Sequence, residues 1–202
     1  VKCHNAYNYG QNAAGARAAL PEDFPVILPE MGTKRPNLGL LILSEFANSE
    51  RGRGQGYVVK GLLQRGSYAV AYGAPGEGKT FVALDVSYHV AAGSPWMDRK
   101  VHAGPVLYLA YEGTGGLVKR AQALRQHYGP ADVPLYVARA AYDLRQKTGR
   151  AELGLLLATL PAKPALIVVD TFAHALMGGD ENSAQDVGAF NGAVAALIES
   201  TG

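Results

Sequence analysis

The rhythm of apolar and polar positions changes at about Tyr57. Before it, ALPEDFPVILPE and SERGRGQG read as loops around short apolar pieces, in a stretch rich in Gly, Asn, Pro and Arg. Residues 1–56 are therefore expected to be a loosely structured N-terminal extension or the end of a preceding domain, and residues 57–202 the folded core. From Tyr57 onward, apolar runs alternate with helix-like spacing in the order of βαβ units around a parallel sheet. SYAVAY (67–72) predicts the first strand, followed by a glycine-rich turn and a helix over 79–92. In that helix Val82, Val86 and Val90 recur at four-residue spacing, which predicts one buried stripe. PVLYLAY (105–111) predicts the second strand, 117–128 a helix, PLYVAR (134–139) the third strand, and 151–160 a Leu-rich helix. ALIVVD (165–170) is the next strand. A final helix over 184–200 places Val187, Phe190, Val194, Leu197 and Ile198 on one face.

Composition narrows the class without naming a function. A chain of 202 residues suits one α/β domain with room for a short appendage. A hydrophobic share of 48% and a charged share of 18% argue for a globular chain and against disorder. A formal charge of +2 neither supports nor excludes nucleic acid, because phosphate neutralisation depends on a local basic stripe as much as on the total. Cys3 is the single cysteine, so no internal disulfide forms, and no Cys/His cluster has zinc spacing. Those features, with no apolar run of membrane-spanning length and no secretory pattern, predict a cytoplasmic protein that has no membrane partner. The chain opens on Val1 rather than Met, which predicts that it is a piece of something longer.

The chemistry begins at GAPGEGKT, Gly73, Ala74, Pro75, Gly76, Glu77, Gly78, Lys79 and Thr80. It matches the phosphate-binding P-loop pattern G-x-x-x-x-G-K-[ST], between a predicted strand and a predicted helix. The glycines let the backbone curl until its N–H groups point at phosphate oxygens, and the helix start adds the positive end of its dipole. Lys79 would reach the β- and γ-phosphates of ATP, and Thr80 would offer its hydroxyl to Mg²⁺. A second carboxylate must hold the metal's water shell, and ALIVVD ends on Asp170. Hydrolysis also needs a group to deprotonate or position water, and the residues after Asp170, Thr171 and Phe172, cannot serve. Parallel α/β sheets bind ligands beyond the carboxyl ends of their strands. Glu112, where VLYLAY stops, is therefore the candidate base. The plainer alternative is a turn carboxylate paired with Lys119 or Arg120.

Taken together, YVVKGLLQRG, GAPGEGKT, LYLAYEG, IVVDT and GGDENS resemble the RecA-like P-loop ATPases, and within them the RepA-like hexameric replicative helicases and related phage or plasmid AAA-type ATPase domains. The resemblance implies an α/β RecA-like core, a mainly parallel sheet flanked by helices. It also implies Glu112 as catalytic glutamate, Asp170 as metal aspartate, and ATP with Mg²⁺ as cofactors. Such enzymes form a ring, expected here to be a hexamer, which hydrolyses ATP between subunits to move along single-stranded DNA in plasmid or phage replication. Arg120 looks like an arginine near the γ-phosphate. Thr171, His174, Asp180, Glu181 and Asn182 fall in the loop that senses phosphate or faces DNA. The resemblance further implies a strand, DNA-binding loops and a trans-acting arginine after Gly202, so the core is expected to be truncated at its C-terminus. A RecA-like regulatory or assembly ATPase without helicase activity suits the same residues. A small-molecule kinase suits them less, since nothing resembles an acceptor-substrate lid.

Overall fold

The structure, a computed structural model, describes residues 43–44, 56–111, 114–129 and 132–201. The chain divides into two compact units, Val1–Glu45 and Phe46–Gly202. Apart from Leu43, Ser44 and Gly56, the expected extension over 1–56 lies outside the described residues.

In the second unit, Tyr57–Val59 (β1) and Leu63–Gln64 (β2) form a small antiparallel hairpin. Its turn passes through Gly61 at φ 73°, in the left-handed region that glycine adopts without strain. The alternating units follow: helix Lys79–Ala92 (α1), strand Val106–Ala110 (β3), helix Thr114–Tyr128 (α2), strand Leu135–Ala138 (β4), helix Lys147–Thr159 (α3) and strand Leu166–Asp170 (β5). The short helix Phe172–Ala175 (α4) and the long helix Ala184–Thr201 (α5) complete the order.

β3, β4 and β5 form a parallel sheet in the order β4-β3-β5. The central strand is buried at all five positions, as its unbroken apolar run requires. β5 is half-buried throughout, since among the described residues β3 is its only neighbouring strand. Alternation along β3 separates two cores. Val106 packs with Val86 and Val90 of α1, and Tyr108 and Ala110 pack with Leu84 of α1 and Leu117 of α2. On the opposite face, Leu107 and Leu109 pack with Leu153 of α3 and with Phe190 and Ala193 of α5. The sheet is thus flanked by helices on both faces, the α/β arrangement of a P-loop NTPase core.

Three expectations are corrected. Residues 67–72 are not a strand: they have no ladder partner among the described residues, and Tyr68, Val70 and Tyr72 are 53%, 68% and 93% exposed. The segment has a strand's composition, but strand formation needs a hydrogen-bonded neighbour, which local periodicity cannot specify. Val82 leaves the buried stripe because it lies in the first turn of α1, lining an open groove rather than covering the sheet. The Leu-rich helix α3 starts at Lys147, a full turn earlier than expected. The added turn includes Gly149, which is buried against the Asp143 backbone so closely that a Cβ would overlap the Asp143 carbonyl.

Arg145 fastens the segment before α3 to the start of α5. Its Nε and Nη2 donate to the two carboxylate oxygens of Asp143 at 3.0 and 3.1 Å, and its Nη1 donates to Asp186 Oδ1 at 2.7 Å. The second oxygen of Asp186 accepts the Asp180 N–H at 3.1 Å. The Arg145 bonds hold the Asp143 carboxyl below its ordinary 3.8, and the Asp180 amide, then Arg145, does the same for Asp186. A carboxylate depressed in the folded state adds stability above its unfolded pKa, and that stability is lost as pH falls through the lower folded value. Arg145→Ala is therefore expected to lower the urea midpoint at about pH 7, with the gap to wild type narrowing at about pH 3. An equal gap at both pH values contradicts this account.

Candidate active site

The turn into α1 is shaped by two glycines. Gly76 and Gly78 sit at φ 86° and 84°, left-handed values that a side chain would strain. Gly78 is the N-cap of α1, with no side-chain cap bond, so no side chain occupies the N–H groups of the first turn. Within the loop, the Lys79 ammonium donates to the carbonyls of Gly73 and Ala74 at 2.7 and 2.9 Å. The Ala74 N–H donates to Glu77 Oε2 at 2.9 Å, and that carboxylate lies against Gly73 where a Cβ would collide with it. Pro75 contributes no N–H. A loop amide thus already holds an oxyanion, and the same loop carries an ammonium on its carbonyls, so the donor set fits a phosphate.

Asp170 ends β5 opposite Ala110 in the ladder. Because β5 alternates, Leu166, Val168 and Asp170 share the face that carries Val106, Tyr108 and Ala110, the face covered by α1 and α2. Tyr108, completely buried, donates its hydroxyl to Asp170 Oδ2 at 2.6 Å. Burial first, and the bond to Asp170 second, push the phenol well above its ordinary 10. Tyr111 N–H donates to the Asp170 carbonyl at 2.8 Å, while its hydroxyl donates to the Tyr142 carbonyl at 2.8 Å. Burial raises the Tyr111 phenol to about 12. The main chain leaving β3 is therefore held on both sides as far as Tyr111; Glu112 itself lies outside the described residues.

The accessory candidates divide. The Arg120 guanidinium stacks over the Phe81 ring at 5.2 Å from its centroid, one residue beyond Thr80, and its positive charge slightly opposes the rise at Tyr108. It borders a groove of about 320 Å³ between α1 and α2. Thr171 Oγ1 bonds His174 Nδ1 at 2.8 Å, directly after Asp170. Asp180 and Asn182 are engaged with each other, the Asn182 N–H donating to Asp180 Oδ1 at 2.8 Å as a local turn, and Glu181 is exposed. Sequence reasoning overlooked Tyr108 and Arg145. The signal for Tyr108 was present, since a tyrosine inside a fully buried strand must find a partner for its hydroxyl.

Among the described residues, no group of three His, Cys, Asp or Glu side chains is arranged to hold a metal ion. Mg²⁺ keeps waters and is commonly held by one or two protein groups together with substrate phosphates. A hydroxyl and one carboxylate, as Thr80 and Asp170 supply, fit that mode. No helix among the described residues is long and apolar enough to cross a membrane.

A family model described as an AAA domain matches residues 40–202. Compared with curated proteins and with solved structures, the chain gives no match in either.

The Glu77 contact generates a prediction. Its carboxylate competes for an amide that a phosphate would use and repels the incoming charge. Glu77→Gln is expected to tighten binding of tripolyphosphate by about 2–5-fold, the scale of one exposed charge contact. Titration calorimetry checks it, and weaker binding by the variant contradicts it.

Proposed function

We propose that this chain, which belongs to the AAA domain family, binds ATP at Gly73–Thr80 and hydrolyses it with Mg²⁺, as the motor of a RepA-like DNA helicase. The observation that carries the ATPase reading is a loop opening α1 in which the Ala74 amide already binds a carboxylate and the Lys79 ammonium folds back onto the Gly73 and Ala74 carbonyls. On binding, Lys79 exchanges the Gly73 and Ala74 carbonyls for the β- and γ-phosphate oxygens, and the loop amides turn from Glu77 to phosphate. Thr80 and Asp170 would hold the metal. Mg²⁺, when bound, neutralises charge on the phosphates during transfer. Glu112 takes a proton from the attacking water. This assignment is supported by its place directly after Tyr111, whose N–H is bonded to the Asp170 carbonyl. Arg120 lends positive charge beside the first turn of α1, and Thr171 with His174 forms a polar pair next to the metal aspartate.

The helicase role, action on single-stranded DNA and assembly as a hexameric ring rest on the resemblance in GAPGEGKT, LYLAYEG and IVVDT taken together. The domain limits, an extension over 1–56 and an ATPase core over 57–202, rest on the change of pattern at Tyr57. Glu112→Gln is expected to retain nucleotide binding while turnover falls ~10²–10⁴-fold, the usual weight of a general base. Lys79→Ala is expected to lose binding itself. Fluorescent-nucleotide titration and phosphate release separate the two, and near-wild-type turnover in Glu112→Gln removes Glu112 from the role of base. Single-stranded DNA is expected to stimulate ATP turnover at low salt, where phosphate contacts are strongest. A rate indifferent to DNA, with no binding at low salt, favours the regulatory or assembly ATPase instead.

A further inference from the structure

We propose that Tyr108 is a positioning residue for the metal site: by holding one oxygen of Asp170, its buried hydroxyl fixes the carboxylate so that the other oxygen serves the water shell of Mg²⁺. The inference rests on the reading of Asp170 as the metal aspartate and adds a residue to it.

The geometry is a product of the ladder. Tyr108 pairs with Val168 in the parallel register, so Asp170, two residues further along β5, is its diagonal neighbour on the same face. The hydroxyl reaches across to Oδ2 at 2.6 Å, short for a bond between two oxygens and characteristic of a charged acceptor. The ring cannot swing away. It is completely buried among Leu84 of α1, Ala110 of β3 and Leu117 of α2, with Ala83, Leu124 and Val168 packed around them. A carboxylate at a strand end, by contrast, can rotate about its last bond unless something restrains it. Here the restraint is a side chain locked in the core, and its donor occupies a single oxygen. Metal ligands are commonly oriented by such outer hydrogen bonds, whose loss costs about 10–100-fold in metal affinity or activity.

The same ring also touches the helix that follows the phosphate loop, through Leu84. A purely structural role would therefore be felt as loosened packing of α1, which would weaken nucleotide binding with or without metal. A positioning role would be felt only when metal is present. The two differ in a readout that needs no turnover.

Tyr108→Phe keeps the ring and deletes the hydroxyl. Binding of a fluorescent ATP analogue to the full-length protein is measured in EDTA and across a Mg²⁺ titration, with Asp170→Asn and Leu84→Ala beside it. The expected result is an affinity in EDTA within about 2-fold of wild type, and a Mg²⁺ midpoint raised roughly 10-fold in Tyr108→Phe and at least as far in Asp170→Asn. Leu84→Ala, which loosens the same packing without touching the bond, is expected to leave the midpoint in place. An unchanged midpoint in Tyr108→Phe with a raised one in Asp170→Asn overturns the positioning role and leaves the metal aspartate standing. An equal loss with and without Mg²⁺, or a midpoint shifted as far by Leu84→Ala, assigns Tyr108 to packing alone. If Asp170→Asn does not move the midpoint, or wild-type binding is indifferent to Mg²⁺, the underlying reading of Asp170 fails and takes the inference with it.

Discussion

The parallel pairing of β5 with β3 is the constraint from which the rest follows. Five consecutive residue pairs, Val106 with Leu166 through Ala110 with Asp170, set which face of the sheet each β5 side chain occupies. A slip of one residue would turn Asp170 to the opposite face, away from α1, and expose Ile167 and Val169 to the wrong core. The burial of β3 on both faces makes such a slip expensive, because Tyr108 and Leu109 would lose their partners together. The position of one carboxylate is therefore secured by the packing of an entire strand.

The loop before α1 follows a different logic. It is exposed, and its shape comes from two left-handed glycines and from charged side chains that satisfy its backbone: Lys79 on the carbonyls of Gly73 and Ala74, Glu77 on the Ala74 amide. A curl of backbone with its amides pointing inward leaves donors that need an acceptor. Glu77 supplies one locally. A phosphate entering the loop consequently exchanges contacts rather than adding them to bare groups, and the net gain comes from the number of oxygens it can present and from the uncapped turn of α1.

Much of this was legible in the sequence, and the part that was not has a common cause. The limits of α1, the buried run of β3, and β5 ending on Asp170 could be read because each depends on local period or on a motif whose glycines have a local role. The AAA domain match over 40–202 agrees with that reading at the level of the domain. Glu112, the base the pattern suggested, lies outside the described residues. What local pattern could not supply was partnership across the fold. Residues 67–72 have the alternation of a strand but no ladder neighbour among the described residues, and Val82 has the spacing of a core position but is half exposed. The early start of α3 was not legible because the close contact of Gly149, the Asp143 backbone, is set by how the chain enters the helix. Tyr108 looked like one more apolar residue because its partner is 62 positions away.

The two helices covering Tyr108 are held to each other by polar and ring contacts at one end and by packing with a cation–π contact at the other. Asp85 of α1 accepts the Trp96 indole N–H at 2.8 Å and the Tyr128 hydroxyl, from the last residue of α2, at 2.6 Å. The bond to Asp85 raises the Tyr128 phenol to about 12, and its ring stacks on Tyr88 with centroids 4.7 Å apart. Nearer the phosphate loop, the same pair of helices meets through Arg120 over Phe81, with Phe81 and Val82 57% and 49% exposed. A network of hydrogen bonds and a stacked ring holds one end, whereas at the other a cation–π contact, worth only about 0.5–1 kcal/mol at an exposed site, adds to the packing of Leu117 with Leu84. Through Leu84 and Leu117, the loop end of both helices is therefore packed against the ring that holds Asp170.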